Sequence, residues 1–204
     1  MNYNLNKRLI LGGRYVVTEN VERKEAAVNA CLNEFVKNGL YNTTSRDLSK
    51  AMNLQSGGLY YYFSSKDEAV IVCAEEASFL LENEMIVVAL EDINDPIRLI
   101  DNLQKRARKY APVMKFFVQV CSSNQYKDAM RPALDRLSDR YTEYATLFSA
   151  RLGCEISEIE PYVYMCITAI TNYMVFEEPL YVLPQLELMT SKLVELQTKQ
   201  KAIK

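Results

Sequence analysis

Residues 44–68 read TSRDLSKAMNLQSGGLYYYFSSKDE, and this segment is the most informative part of the chain. Thr44 and Asp47 have the spacing of a capping box, in which each side chain bonds the other residue's backbone in the first turn of a helix. Turn-forming residues at positions 53–56 end that helix after about two turns. A short third element follows, and a second capping box at residues 65–68 begins a long helix. The segment therefore predicts two short helical elements joined by a tight turn, with a longer helix after them.

The rest of the chain also shows helical periodicity. Before Gly39, which ends the first helix, apolar residues recur at the spacing of one helix face, at Val28, Cys31, Leu32, Phe35 and Val36. Further along, Asp95 and Pro96 predict one helix start, residues 157–160 predict another, and Gly153 predicts a helix end. We expect an all-α protein of about nine helices, with no convincing sheet and no internal repeat.

Composition excludes several classes of protein. The chain has 204 residues, 49% of them hydrophobic and 25% charged, as in ordinary globular proteins. It contains no His, which removes the commonest general base and metal ligand, and no nucleotide loop or nucleophile motif is present. We therefore expect no enzyme activity, no cofactor and no metal. The five Cys are widely spaced and predict reduced core thiols. Apolar runs are too short for a secretory signal or a membrane span, so a cytoplasmic protein is expected.

Charge is distributed unevenly along the chain. Residues 1–68 hold nine basic and seven acidic side chains, a net charge of +2, whereas residues 69–204 have a net charge of −4. Residues 43–66 contain three basic residues, Arg46, Lys50 and Lys66, and one acidic residue, Asp47. This local excess of positive charge is modest, but it is the kind of feature that contact with phosphates requires.

Two short helical elements joined by a tight turn are the arrangement of a helix-turn-helix DNA reader. The string from Gly39 to Lys66 resembles the DNA-binding segment of the tetracycline-repressor (TetR) family of bacterial transcriptional regulators. The matching residues keep the family's spacing without gaps, at Gly39, Thr44, Asp47, Leu48, Lys50, Ala51, Leu54, Gly57, Leu59, Tyr60, Tyr62, Phe63, Ser65 and Lys66. The resemblance implies a homodimer with an N-terminal three-helix DNA-binding domain and a C-terminal helical domain for effector binding and dimerisation.

The resemblance also implies roles for individual residues. Contacts to phosphates are expected from Ser45, Arg46, Tyr60, Tyr62 and Lys66, and contacts to base edges or adjoining backbone from Gln55, Ser56, Gly58 and Tyr61. Gly57 would let the reading segment, which we define as residues 55–62, start close to DNA. The family usually has a small hydroxyl residue where Gln55 stands, Gly where Asn53 stands and Ala where Ser49 stands. Asn tolerates the left-handed backbone that such a Gly provides, and Gln has the geometry to hydrogen-bond adenine in the groove. Leu59 and Phe63 are expected to be buried and Tyr61 exposed.

The implied domains are an N-terminal arm over residues 1–22, a DNA-binding domain over 23–68, and an effector-binding and dimerisation domain over 69–204. The last domain is rich in Tyr, Phe and Met, which supply the apolar walls and polar tips of small-molecule pockets. Candidate effector contacts are Tyr110, Met114, Phe117, Tyr141, Tyr144, Phe148 and Tyr173. The last two helices, roughly 157–177 and 179–199, would form the dimer interface, although burial within one subunit would give the same pattern.

Two functions remain open at this stage. The first is a repressor that a small apolar or aromatic effector releases from its DNA operator by favouring a second conformation. The second is a helix-turn-helix protein with an architectural or protein-binding role and no effector. Two basic clusters leave further alternatives: the arm, with Lys7, Arg8 and Arg14, either enters a minor groove or is a loose tail, and residues 105–109 form either an anion site or a solvated helix face.

Overall fold

The computed structural model describes residues 19–203, which form seven α-helices and two short 3₁₀ helices. The α-helices are α1 (Glu19–Asn38), α2 (Ser45–Ala51), α3 (Lys66–Asp92), α4 (Pro96–Ser122), α5 (Lys127–Leu152), α6 (Ile156–Phe176) and α7 (Leu183–Ile203). The 3₁₀ helices span Gly58–Tyr61 and Pro179–Tyr181. No strand occurs in this part of the chain, so the all-α prediction is confirmed. The expected count of about nine helices needs correction, because two of the elements are single 3₁₀ turns.

Local signals account for several helix ends. Gly39 follows α1 with φ of 86°, and its amide donates to the carbonyl of Phe35 at 2.8 Å. The predicted start of α4 is confirmed, since the amide of Arg98 donates to the Asp95 carboxylate at 3.1 Å. Gly153, with φ of 58°, directly follows α5. These ends form where they are predicted because each depends on interactions between residues at most five positions apart.

The start of α6 differs from the prediction. Residues 157–160 were expected to cap this helix, but Glu155 occupies the N-cap, with φ of −68° and ψ of 143°. Its amide donates to the carboxylate of Glu158 at 3.3 Å, so a glutamate pair one turn apart begins the helix. Ser157 consequently lies inside the first turn.

The chain divides into two compact units. Of the described residues, the first unit combines those up to Asn83 with Lys115–Arg131, and the second combines Glu84–Met114 with those from Pro132 onward. In the core of the first unit, the rings of Phe35 and Phe116 stack with centroids 5.4 Å apart, so the last turns of α4 pack against α1. The functional domains expected over residues 23–68 and 69–204 stay a prediction, and the proposed arm over 1–22, with its basic residues, lies almost entirely outside the described residues.

The second unit contains most of α4 and α5 and all of α6 and α7. Four apolar residues on one side of α7 are buried within the subunit: Leu186, Met189, Leu193 and Leu196. Asp92, at the end of α3, is buried, and it accepts a hydrogen bond from Asn102 at 2.7 Å and pairs with Arg98 at 2.8 Å. None of the helices in the described part of the chain is long and apolar enough to cross a membrane.

Candidate nucleic-acid interface

The first turn of α2 has the predicted capping box. The Asp47 amide donates to the Thr44 hydroxyl at 3.2 Å, and the Thr44 amide donates to the Asp47 carboxylate at 2.9 Å. The Thr44 hydroxyl also donates to that carboxylate at 2.6 Å. These hydrogen bonds, with a smaller contribution from the charges of Lys50 and Arg46, lower the pKa of Asp47. The cap fixes the position of Ser45, which is half-buried, and of Arg46, whose side chain is exposed.

The inward face of α2 includes a polar residue. Leu48 and Ser49 are buried, whereas the apolar residues Ala51 and Met52 are half-buried. The Ser49 hydroxyl donates to the carbonyl of Ser45 at 2.9 Å and accepts from the amide of Leu59 at 3.1 Å. A buried hydroxyl therefore connects α2 directly to the reading segment.

Within the reading segment, Gly58–Tyr61 form a single 3₁₀ turn. Asn53 precedes it in the left-handed region with φ of 58°, which confirms that Asn can replace the family's usual Gly in this turn. Gly57 has φ of 91°, a conformation that costs other residues about 1–2 kcal/mol. At Gly58, an added Cβ would lie 2.4 Å from the Cβ of Leu54, so the two backbones approach too closely for any larger residue.

The aromatic residues of this region divide between core and surface as predicted. Leu59 and Phe63 are buried, whereas Tyr61 is 73% exposed and Tyr60 is 61% exposed. Tyr62 is half-buried, and its ring meets that of Tyr61 edge to face with centroids 4.8 Å apart. The buried pair anchors the turn, and the two exposed phenol groups remain available for contacts outside the subunit.

The start of α3 uses a modified version of the expected capping box. The amide of Glu68 donates to the Ser65 hydroxyl at 3.0 Å, as predicted. The Glu68 carboxylate, however, accepts from the hydroxyl of Ser64 at 2.6 Å and from the Ser64 amide, not from Ser65. These bonds lower the pKa of Glu68. Lys66, in the first turn of α3, is half-buried.

A long-range contact at the same helix end was not predicted. The Asp67 carboxylate accepts from the hydroxyl of Tyr126 at 2.7 Å and from the side-chain amide of Gln125 at 3.0 Å. Tyr126 is buried, and burial together with the nearby carboxylate raises its pKa. Nothing in the sequence indicates this contact, because Asp67 lies 58 positions from Gln125 and 59 from Tyr126.

The three cations around the reading segment are Arg46, Lys50 and Lys66. Among the residues that the structure describes, the side chain of none of them makes a hydrogen bond or an ion pair. Arg46 and Lys50 are exposed on α2, and Lys66 lies on the other side of the reading segment in sequence. The predicted DNA-binding residues therefore comprise uncharged groups in the reading segment and cations in the elements before and after it.

The candidate effector residues all lie in helices but not in one unit. Phe117 belongs to the first unit, whereas the other six belong to the second. Met114 and Tyr141 are half-buried and the remaining five are buried. Within the second unit, the hydroxyl of Tyr144 is buried without a hydrogen-bond partner, and that of Tyr173 accepts from Arg108 at 3.5 Å. Their role in effector binding stays a prediction.

Among the described residues, no three His, Cys, Asp or Glu side chains are grouped closely enough to hold a metal ion. All five cysteines are free thiols, of which Cys31, Cys73 and Cys166 are buried and Cys121 and Cys154 are half-buried. Burial raises the pKa of Cys121 to about 11 and that of Cys166 to about 12, so both stay protonated at neutral pH.

Both the DNA-binding segment and the fold resemble known proteins. The sequence-family model for bacterial regulatory proteins of the tetR family matches residues 27–71. No curated protein matches the sequence. The multidrug binding protein EbrR, solved with imidazole, is similar with a TM-score of 0.51 at 15% identity, over 85% of this chain and 94% of that one.

Two other solved structures share the fold. A transcriptional regulator from Aquifex aeolicus VF5 has a TM-score of 0.52 at 16% identity, covering 89% of this chain and 99% of its own. A TetR-family protein from Mesorhizobium loti MAFF303099 has a TM-score of 0.56 at 10% identity, with coverage of 89% and 98%. Residues 27–71 therefore match the DNA-binding segment of the tetR family of bacterial regulatory proteins, and the chain shares its fold with solved transcriptional regulators.

Proposed function

We propose that this regulator is a sequence-specific, dimeric repressor that places its reading segment in the major groove of an operator. The observation that carries the proposal is the exposed, uncharged reading segment between unpaired cations. In a helix-turn-helix, the second element reads bases while the first crosses the DNA backbone. The reading segment has the exposed Gln55, Ser56 and Tyr61 for base edges, and α2 and α3 supply charge for phosphates.

Individual roles follow from this placement. Arg46 and Lys66 would neutralise phosphates, and Ser45, Tyr60 and Tyr62 would donate neutral hydrogen bonds to them. Gly58 would bring the backbone close to the base edges. With two charged contacts in each of two subunits, the logarithm of the affinity should fall with the logarithm of salt concentration with a slope of about −4.

The dimer proposal rests on apolar residues that the subunit leaves exposed near its C-terminus. They include Phe176, Leu180 and Leu183 around the second 3₁₀ helix, and Leu188 and Val194 on α7. Exposed apolar side chains in this number suit an interface between two copies of the chain. A Leu188→Glu substitution should shift the protein to monomer in sedimentation velocity. Leu147→Glu, at an exposed position on α5, is the matched control and should leave the dimer intact.

The effector proposal draws on the second unit. Tyr144 has a buried hydroxyl without a partner, and a small aromatic ligand with one polar atom could satisfy it. The structurally similar protein EbrR was solved with imidazole, which is a small aromatic ring with polar atoms and belongs to the class of effector proposed here. Effector binding would release the operator by favouring a conformation whose reading segments no longer fit it. The protein would act in the cytoplasm, where the DNA lies.

Fluorescence anisotropy tests the central claim. The duplex from upstream of the protein's own gene is titrated beside a scrambled duplex at two salt concentrations. Tight binding that prefers the first duplex and weakens with salt is expected, and equal, weak binding to both would contradict a role at this operator. Thermal shift with small aromatic compounds then tests the effector, because a ligand at 100 times its Kd stabilises the folded state by about 2.7 kcal/mol. An architectural protein would bind DNA and show no shift.

A further inference from the structure

We propose that the reading segment recognises A·T base pairs, with Gln55 contacting adenine and Tyr61 contacting the methyl group of thymine. This inference rests on the proposed function and names the base pairs that the same site would select. It follows from three features of the segment: the absence of charge, a free exposed amide, and an exposed aromatic ring.

The segment lacks the side chains that read guanine. Guanine offers two acceptors in the major groove, and Arg or Lys makes the commonest specific contact to them. No residue from 55 to 62 carries a charge. The nearest cations are Lys50 in the last turn of α2 and Lys66 in the first turn of α3, on the elements that would face the DNA backbone. The reading segment therefore has no Arg or Lys side chain that could donate to both acceptors of a guanine.

Gln55 has the chemistry and the freedom to read adenine. Adenine presents an acceptor and a donor side by side, and the side-chain amide of Gln pairs with both. The backbone of Gln55 is fixed, because its carbonyl accepts from the amide of Gly58 at 2.9 Å. Its side chain is exposed and has no hydrogen-bond partner among the described residues. The position is thus held by the turn while the amide stays free for a ligand.

Tyr61 supplies the apolar contact. Thymine differs from the other bases in the groove by a methyl group, which packs against apolar side-chain surface. The Tyr61 ring is 73% exposed, and its edge-to-face contact with Tyr62, with centroids 4.8 Å apart, restricts its orientation. A Cβ at Gly57 would meet open space, so the glycine leaves no side chain on that side of the turn to keep the ring away from the floor of the groove.

Selection from a random-sequence duplex library gives the preferred half-site without knowledge of the operator. In the selected duplex, each adenine is then replaced in turn by 7-deazaadenine, which lacks the N7 acceptor, and each thymine by uracil, which lacks the methyl group. One adenine replacement should weaken binding about fivefold or more, and one thymine replacement roughly fourfold. Gln55→Ala should weaken binding to the unmodified duplex and remove the 7-deazaadenine effect. Tyr61→Ala should likewise remove the uracil effect.

Gln119→Ala, at an exposed glutamine on α4, is the matched control and should keep both effects. A selected half-site dominated by G·C pairs, or a 7-deazaadenine effect that persists in Gln55→Ala, would overturn this inference and leave the proposed function intact. A library that yields no enriched sequence would overturn the proposed function itself, and this inference with it.

Discussion

Ser49→Ala tests the connection between α2 and the reading segment. The substitution removes the acceptor of the Leu59 amide, at a bond of 3.1 Å between buried groups. A buried donor left without a partner costs about 1–3 kcal/mol. Ala is a better helix former than Ser by at most about 0.7 kcal/mol, which offsets part of this loss. We therefore expect a decrease of about 1–2 kcal/mol in the free energy of unfolding.

Urea unfolding measures the stability, and hydrogen exchange of the Leu59 amide measures the local effect. Ser191→Ala is a matched control, because the Ser191 hydroxyl donates to a carbonyl four residues earlier, as in Ser49, but lies exposed in α7. This control should change stability by less than about 0.5 kcal/mol. The Leu59 amide should exchange about tenfold faster for each 1.4 kcal/mol lost locally. Operator affinity should fall in Ser49→Ala with an unchanged salt slope, because no charge is removed.

Two results would refute this reasoning. Equal destabilisation by Ser49→Ala and Ser191→Ala would mean that the bond to Leu59 contributes nothing beyond an ordinary helical serine. An unchanged exchange rate at Leu59 would mean that its amide finds another partner, so the hydroxyl would not hold the reading segment in place.

Three further predictions concern the proposed phosphate contact of Lys66, the close packing at Gly58, and the buried thiols. Lys66→Ala should lower operator affinity and reduce the salt slope by roughly one ion per reading segment, whereas Tyr61→Ala should lower the affinity without changing the slope. Equal slopes for Lys66→Ala and wild type in anisotropy titrations would contradict the phosphate contact. Gly58→Ala should lower the free energy of unfolding in urea by about 1–3 kcal/mol, because its Cβ would lie 2.4 Å from another Cβ, and an unchanged midpoint would contradict this clash. The free energy of unfolding should fall as the pH rises above about 9, because the thiols of the unfolded chain ionise there while Cys121 and Cys166, with pKa values of about 11 and about 12, stay protonated. Cys166→Ala should make this decline less steep. Equal slopes of stability against pH for Cys166→Ala and wild type would contradict the effect.

Helix ends are the most predictable part of this fold because their chemistry is local. Thr44 with Asp47, and Asp95 with the amide of Arg98, lie three residues apart, and both caps form as the sequence indicates. The start of α6 shows the limit of such signals. Glu155 and Ser157 both precede acidic residues at suitable spacing, and the sequence does not show which one the chain uses as its cap.

Contacts between distant residues are the part that the sequence does not reveal. Ser49 and Leu59 are 10 positions apart, and Asp67 and Tyr126 are 59 apart. No periodic pattern indicates that a serine inside α2 accepts from the reading segment, because a serine there also suits a solvated helix face. For the same reason, the inclusion of Lys115–Arg131 in the first unit could not be read from local spacing.

The acidic residues beside the proposed phosphate contacts explain why the cations should dominate DNA binding. Helix N-termini attract phosphates through free amides and a partial positive charge. Here Asp47 lies in the first turn of α2 and Glu68 in the first turn of α3. The backbone amide of each already donates to the hydroxyl of a capping residue. Hydrogen bonds lower the pKa of both carboxyls, so they remain ionised at neutral pH and oppose the positive end of each helix. The attraction for phosphates must then come mainly from Arg46 and Lys66, which makes binding strongly dependent on salt even though the chain has a net charge of −2.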